Sequence, residues 1–397
     1  MADHTNISAL IGNLTELQKD LKVEDILAQA LSEPMPTEER LRQVEQALET
    51  FKSLGILGGE DARDLHLLLT LGRTYERLSH FEKAYETYET ALKLAERHDD
   101  AASKAELFSQ MGRVLTRWQR WDEAVHYLEQ SSQVYEALGD VLGQVQTIVR
   151  RGTVYLEQGN YEAAQEVYEQ ALQLGEQIDD KKTIARVNNN MAILATIQGN
   201  MDEAIAKYEA CLVMYVELGD ERGMASAYHN LGMTYADLED WTSAMDAYEK
   251  GFEVAQKSSH LDIMANIHLS MAEVMLEMGN SMMVPMCCAR ALDIYRKTGD
   301  RLGEADAYRL LGRTFGMRKD WDTANQLFKD SLTLNEEHSN PLGVAETQRD
   351  WGKMLMNRGL KTDAQHMLEV AQIGFEKLGA QADAQKVETA LEELKQI

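Results

Sequence analysis

The chain has 397 residues, a formal charge of −26 and a pI near 4.8, so it lacks the cationic balance with which proteins neutralise nucleic-acid phosphates. Hydrophobic residues make up 44% and prolines number only 4, which suits extensive helix packing and excludes a Pro-rich linker. Cys211, Cys287 and Cys288 are too few and too oddly placed for a disulfide framework, so a reducing compartment is expected. The N-terminal MADHTNISALIG has no basic stretch leading into a long apolar run, and no segment approaches the ~18 consecutive apolar residues of a membrane span. A soluble, cytoplasmic protein without membrane insertion is the expectation.

Residues 1–58 predict three helices: Leu10, Leu14, Leu17 and Leu21 share one face, Ile26, Leu27, Ala30 and Leu31 another, and Leu41, Val44, Leu48 and Phe51 come after Pro34 and Pro36. The last two helices are expected to cap the open end of a repeat array. From residue 61 a 40-residue period locks in. Its first helix carries a small residue at Gly72, Gly112, Gly152, Ala192, Gly232, Ala272, Gly312 and Gly352, and its second helix starts at Ala84, Ala124, Ala164, Ala204, Ala244, Val284, Ala324 and Ala364. Helices approach closely only where neither presents bulk, so these two points predict a tight crossing in each of eight hairpins. Large knobs interleave: Tyr75, Tyr155, Tyr235 and Phe315 on first helices, and Tyr88, Tyr168, Tyr208, Tyr248 and Phe328 on second helices.

Helix ends are marked as well. Asn160, Asn200, Asp240, Asn280 and Asp320 are N-cap candidates for second helices, with a capping box expected from Asn200 to Glu203. Gly139, Gly219 and Gly299 suit left-handed helix termination, and Asp140, Asp220 and Asp300 cap the next helix. The sixth unit departs from the pattern at SMMVPMCCAR, where Pro285 and the Met-rich surroundings predict a distorted or shifted second helix. There Cys288 occupies the aromatic core position. A soft-metal site for Cu(I) and plain adaptable packing are the two accounts of this sulfur cluster, and packing is the simpler.

The order Leu71, Gly72, Tyr75, Ala84, Tyr88 and Ala91 resembles the tetratricopeptide repeat, in the 40-residue variety of kinesin light chains, Leu-Gly-Asn-repeat polarity adaptors and some bacterial regulators. The resemblance covers residues 61–380 and implies an all-α solenoid: a right-handed superhelix of about eight hairpins whose first helices line a concave peptide-binding groove. Residues 381–397, with Val387, Leu391 and Leu394, then read as a C-terminal capping helix.

No phosphate-binding Gly loop, His-Glu-x-x-His, Cys-x-x-Cys or Gly-x-Ser-x-Gly is present, so neither an enzyme nor a cofactor or metal protein is expected. If the resemblance holds, inward-facing first-helix positions spaced i, i+4 are Leu69 and Arg73, Ser109 and Arg113, Val149 and Thr153, Asn189 and Ile193, His229 and Met233, Leu269 and Glu273, Arg309 and Arg313, and Arg349 and Lys353. Arg309, Arg313, Arg349 and Lys353 concentrate cations at the C-terminal end. Either an acidic ligand neutralises them or Asp306, Glu346 and Glu273 do so internally; the sequence leaves both open. Asn189, Asn190 and Asn230 are candidates to hydrogen-bond a peptide backbone, and His229 is a lone groove histidine. The Lys and Asn pair with which chaperone-binding repeats clamp a C-terminal carboxylate is absent. The expected role is a non-enzymatic scaffold binding a linear, acidic segment of another protein. A self-assembling homo-oligomer, and a peptide-sensing regulator with residues 1–58 as effector arm, are the alternatives.

Overall fold

A helix with one apolar stripe must bury that stripe against a neighbour, and here each helix finds its neighbour next in the chain. The computed structural model describes Arg42, Glu45, Gln46, residues 62–77 and residues 80–396. Among these residues there are seventeen helices and no strand. The N-terminal helices expected within residues 1–58 lie outside the described residues, apart from those three positions.

The chain divides into two compact units, Met1–Leu218 and Gly219–Ile397. The first contains α1 (Ala62–Arg77), α2 (Phe81–Arg97), α3 (Ala101–Arg117), α4 (Trp121–Leu138), α5 (Val141–Glu157), α6 (Tyr161–Gln177), α7 (Lys181–Ile197) and α8 (Met201–Leu218). The second contains α9 (Glu221–Asp237), α10 (Trp241–Lys257), α11 (Leu261–Glu277), α12 (Val284–Thr298), α13 (Arg301–Met317), α14 (Trp321–Glu337), α15 (Pro341–Arg358), α16 (Lys361–Lys377) and α17 (Gln381–Gln396). Within each unit the helices pair as successive antiparallel hairpins, odd with even, and each hairpin packs on the next. First helices also meet first helices: α3 with α5 and α5 with α7, and then α9 with α11, α11 with α13, and α13 with α15. An all-α tetratricopeptide-type stack is therefore what the periodic sequence forms.

The crossing inside each hairpin is as tight as the small residues predict. All eight second-helix positions from Ala84 to Ala364 are fully buried. A Cβ built on Gly72 would lie 2.3 Å from the ring of Tyr88, on Gly152 2.5 Å from Tyr168, and on Gly232 2.4 Å from Tyr248. Those rings are themselves at most 1% exposed. The knobs of the first helices are less enclosed than expected: Tyr75 is buried, but Tyr155, Tyr235 and Phe315 are half-buried. They sit nearer the open face of their hairpins.

Capping follows side-chain chemistry. The carboxylate Oδ1 of Asp140, Asp220 and Asp300 accepts from the N–H of Gly143, Gly223 and Gly303, each at 2.9 Å. Gly139, Gly219 and Gly299 have φ of 71°, 63° and 78°, where a Cβ would be strained. The capping box at Asn200 does not form. Its N–H donates to the Ala195 carbonyl at 2.8 Å, and Glu203 pairs with Lys207 instead. In the sixth hairpin the second helix begins at Val284, after the short irregular stretch Ser281–Met283 where equivalent helices are already formed, as Pro285 predicts; Asn280, expected to cap this helix, does not, because the late start makes Met283 the N-cap, with no side-chain capping bond. Met282 is left 79% exposed. Cys288 fills the aromatic core position and is fully buried, as is Cys211, and burial pushes both thiols up to about 12. At the C-terminus Val387 and Leu394 of α17 are buried against the last hairpin.

Because Tyr248 fills its hairpin, Tyr248→Ala should destabilise by roughly 3–5 kcal/mol and Gly232→Val by roughly 1–3 kcal/mol. Denaturant midpoints of the second-unit transition measure both, and unchanged midpoints would refute the tight-crossing account.

Candidate functional site

In the second unit the first helices α9, α11, α13 and α15 contribute to one open cavity of about 740 Å³. Met233, Ser270, Glu273, Glu277, Arg313, Arg349, Asp350 and Lys353 line it, with Trp241 and Tyr248 from α10 and Lys386 from α17. The helical spacing that places Glu273 beside Glu277 and Arg349 beside Lys353 also carries them onto one wall.

Arg309 lies behind this wall. Its side chain is 8% exposed and surrounded by Asp350 at 3.0 Å, Glu346 at 3.5 Å, and Glu273 and Asp306 at 3.8 Å each. Asp350, 5% exposed, is shared: its Oδ1 accepts from Arg349 Nε at 3.0 Å, and Arg313 Nε approaches its Oδ2 at 3.9 Å. Arg313 continues to Glu277 at 2.6 Å and Glu273 at 3.4 Å, and Arg349 to Asp383 at 3.0 Å. Burial opposes charge on Asp350, yet Arg349, Arg309 and Arg313 override it and hold its carboxyl far below the usual carboxylate range. Burial, reinforced by Glu346 and Glu273 against the pull of Arg309, instead lifts Asp306 to about 6. Lys353 makes no ion pair among the described residues, and desolvation together with Arg349 lowers its ammonium pKa.

Three of the four expected C-terminal cations thus have carboxylate partners within the chain. Glu346, placed three residues before Arg349 in the sequence, turns to Arg309 instead. His229 is half-buried, with Nε2 2.9 Å from Ser270 Oγ and its ring 5.9 Å from the ring of Tyr248. Burial pushes its imidazole down to about 4, so it is neutral at pH 7. The backbone carbonyl of Asn230 accepts from Thr234, an ordinary helical side-chain contact.

In the first unit Arg73 pairs with Glu106 at 2.5 Å, and Arg113 with Glu76 at 2.6 Å. Glu76 is 5% exposed, and Arg117 approaches it at 3.8 Å. The Asn189 amide donates to Asn190 Oδ1 at 3.4 Å, while its own Oδ1 is buried without a hydrogen-bond partner. Four participants escaped the sequence pattern: Glu76, Arg150, Arg186 and Asp350. Arg150 and Asp350 occupy the same repeat position as Asn190 and Asn230, so tracing that stripe through every unit would have found them.

Sequence profiles of the tetratricopeptide repeat match residues 65–98, 103–177, 149–215, 183–257 and 263–337. The chain belongs to the tetratricopeptide repeat family. That family is one of protein-interaction repeats, which gives this array protein binding as its general role. No curated protein matches the chain. Among solved structures, the repeat array is similar to the Rap conjugation gene regulator of the plasmid pLS20 in complex with the Phr* peptide, at 15% identity over 94% of this chain and 97% of that one, with a TM-score of 0.60. A Rap protein complexed with competence and sporulation factor aligns at 14% identity over 94% and 98% of the two chains, TM-score 0.56. The apo quorum sensor NprR from B. thuringiensis aligns at 16% identity over 94% and 97%, TM-score 0.50. Identities this low establish a shared fold alone. No helix among the described residues is long and apolar enough to cross a membrane.

Two outcomes test this electrostatic arrangement. Arg309→Met should cost about 3–5 kcal/mol by stranding buried carboxylates, measured by thermal and chemical denaturation. The folded His229 resists protonation relative to its ordinary pKa of 6.5, so its contribution to stability is complete above that pH and is lost as pH falls toward 4. Tm measured from pH 7 to pH 4 should fall more steeply for the native chain than for His229→Gln; parallel curves would contradict the burial of a neutral imidazole.

Proposed function

We propose that the chain is a non-enzymatic adaptor that holds a linear segment of another protein against its first-helix face. The observation that carries this is the open cavity of about 740 Å³ in the second unit, lined by first helices of four consecutive hairpins. Its wall alternates apolar Met233 and Val274, hydrogen-bonding Ser270 and Asn357, and charged Glu277, Arg313 and Lys353. That mixture matches an extended peptide, which offers backbone polar groups continuously and side chains of varied character. One protein of similar fold was solved in complex with the Phr* peptide, which supports a peptide as the class of ligand.

Of the ten groove residues expected from sequence, the accessible ones are proposed to meet the ligand. In the second unit these are Lys353, Arg313 and Arg349, beside His229 and Asn230; in the first they are Arg73, Arg113, Asn189 and Asn190. Arg309 is proposed to act from behind, fixing Asp350 and thereby the fork of Arg349. Glu273, Glu277 and Asp350 in this wall are engaged in neutralising arginines.

Peptides selected from a random-sequence library by the full chain test the proposal. Met233→Glu and Lys353→Glu alter exposed cavity residues and should leave far-UV helicity intact while weakening selected peptides by about tenfold or more. Failure to select any peptide, or affinities indifferent to both changes, would overturn it.

A further inference from the structure

The two units dispose of their groove charges in opposite ways. In the second, Asp350, Asp306 and Glu346 supply the carboxylates that neutralise Arg309, Arg313 and Arg349. Five 40-residue periods before Asp350 stands Arg150, and the same step carries Lys386 to Arg186. The position of Arg313 is kept as a cation, Arg113. Three cations thus stand where the second unit has two cations and one buried carboxylate.

These arginines lie on α3, α5 and α7, first helices that touch in sequence. Arg113 is engaged by Glu76 at 2.6 Å, but its Nε is buried without a hydrogen-bond partner. Arg150 makes no ion pair or hydrogen bond among the described residues. The Nε and Nη2 of Arg186 are also buried without a hydrogen-bond partner. Burial, together with Arg113 and Arg186, lowers Arg150 to about 10, and burial lowers Arg186. Glu76 faces Arg73, Arg113, Arg117 and Arg150, one carboxylate against four guanidinium groups. Converging like charges without counter-ions are unstable, and a guanidinium with free donors holds a carboxylate in a two-pronged contact.

The geometry points to Arg150 and Arg186, with Arg113 beside them, as a binding site for a carboxylate side chain of an acidic peptide segment. A carboxylate is the indicated anion because Asp350, one carboxylate at the position equivalent to Arg150, makes that contact with the arginines of the second unit. The site deepens the proposed peptide-binding role and rests on it. It also moves the acid-recognising part of the groove from the C-terminal arginines, which are already neutralised, to the first unit.

The test uses the full chain and three probes: a fluorescently labelled acetyl-tetraglutamate amide, its tetraglutamine counterpart, and inorganic phosphate. The glutamate peptide should bind, the glutamine peptide should not, and the double variant Arg150→Gln, Arg186→Gln should weaken glutamate binding by about tenfold or more. Arg222→Gln, an exposed charge loss in the second unit, should leave affinity unchanged. The double variant relieves repulsion, so its Tm without ligand should be no lower than that of the native chain. Binding equally strong in native and double variant, no glutamate binding at all, or stabilisation by phosphate without glutamate binding would each overturn the carboxylate site. If library-selected peptides still bind and respond to Lys353→Glu in that case, the peptide-adaptor role stands without the site; if none is selected, the role itself fails.

Discussion

The structure depends on one contact repeated along the chain: a residue with little or no side chain on the first helix of a hairpin, covered by a large ring or Leu from the second. Gly72 lies under Tyr88, Gly152 under Tyr168, Gly232 under Tyr248 and Gly312 under Phe328. The ring is buried by the backbone of its partner helix, which fixes both the spacing and the crossing of the pair. With that geometry set, the outer stripe of each hairpin can be covered only by the next hairpin, so each unit grows by nearest-neighbour packing. First helices consequently fall side by side within each unit.

What that face does is decided by charge. Burying arginines and carboxylates costs desolvation, and such a cluster is tolerated only when every charge is answered. The second unit answers them internally, with Asp350 bridging three arginines. A closed network of this kind uses its arginines to hold the wall in shape, while Lys353, Met233 and Ser270 line the cavity beside it. The first unit leaves guanidinium donors open. The net charge of −26 conceals this, because it is a sum over the whole chain and says nothing of the three arginines on α3, α5 and α7.

Most of the architecture was legible in the sequence, because hairpin packing is set by residues at fixed spacing: small at Gly232, small at Ala244, ring at Tyr248. Pro285 foretold the late start of α12, whereas Asn280, read as its cap, lies too far before Val284 to serve. The site was less legible. The inner positions were found from one i, i+4 pair per helix, which located Arg309 and Arg349 but not Asp350, Arg150 or Arg186, one or three positions away. Whether two charges meet depends on side-chain direction: Glu346 lies three residues before Arg349 yet reaches Arg309. The Asn200 capping box failed for a related reason, since the preceding helix had already engaged the Asn200 N–H through Ala195.

The late start of α12 has a chemical corollary. Unwinding Ser281–Met283 sets Met282, Met283 and Met286 at the surface, 79%, 40% and 41% exposed, while Cys287 and Cys288 directly behind them are 4% and 0% exposed. Thioethers react with peroxide according to access, whereas protonated, enclosed thiols react slowly. In the sixth hairpin peroxide is therefore expected to convert the solvent-facing methionines to sulfoxide before it reaches the enclosed thiols.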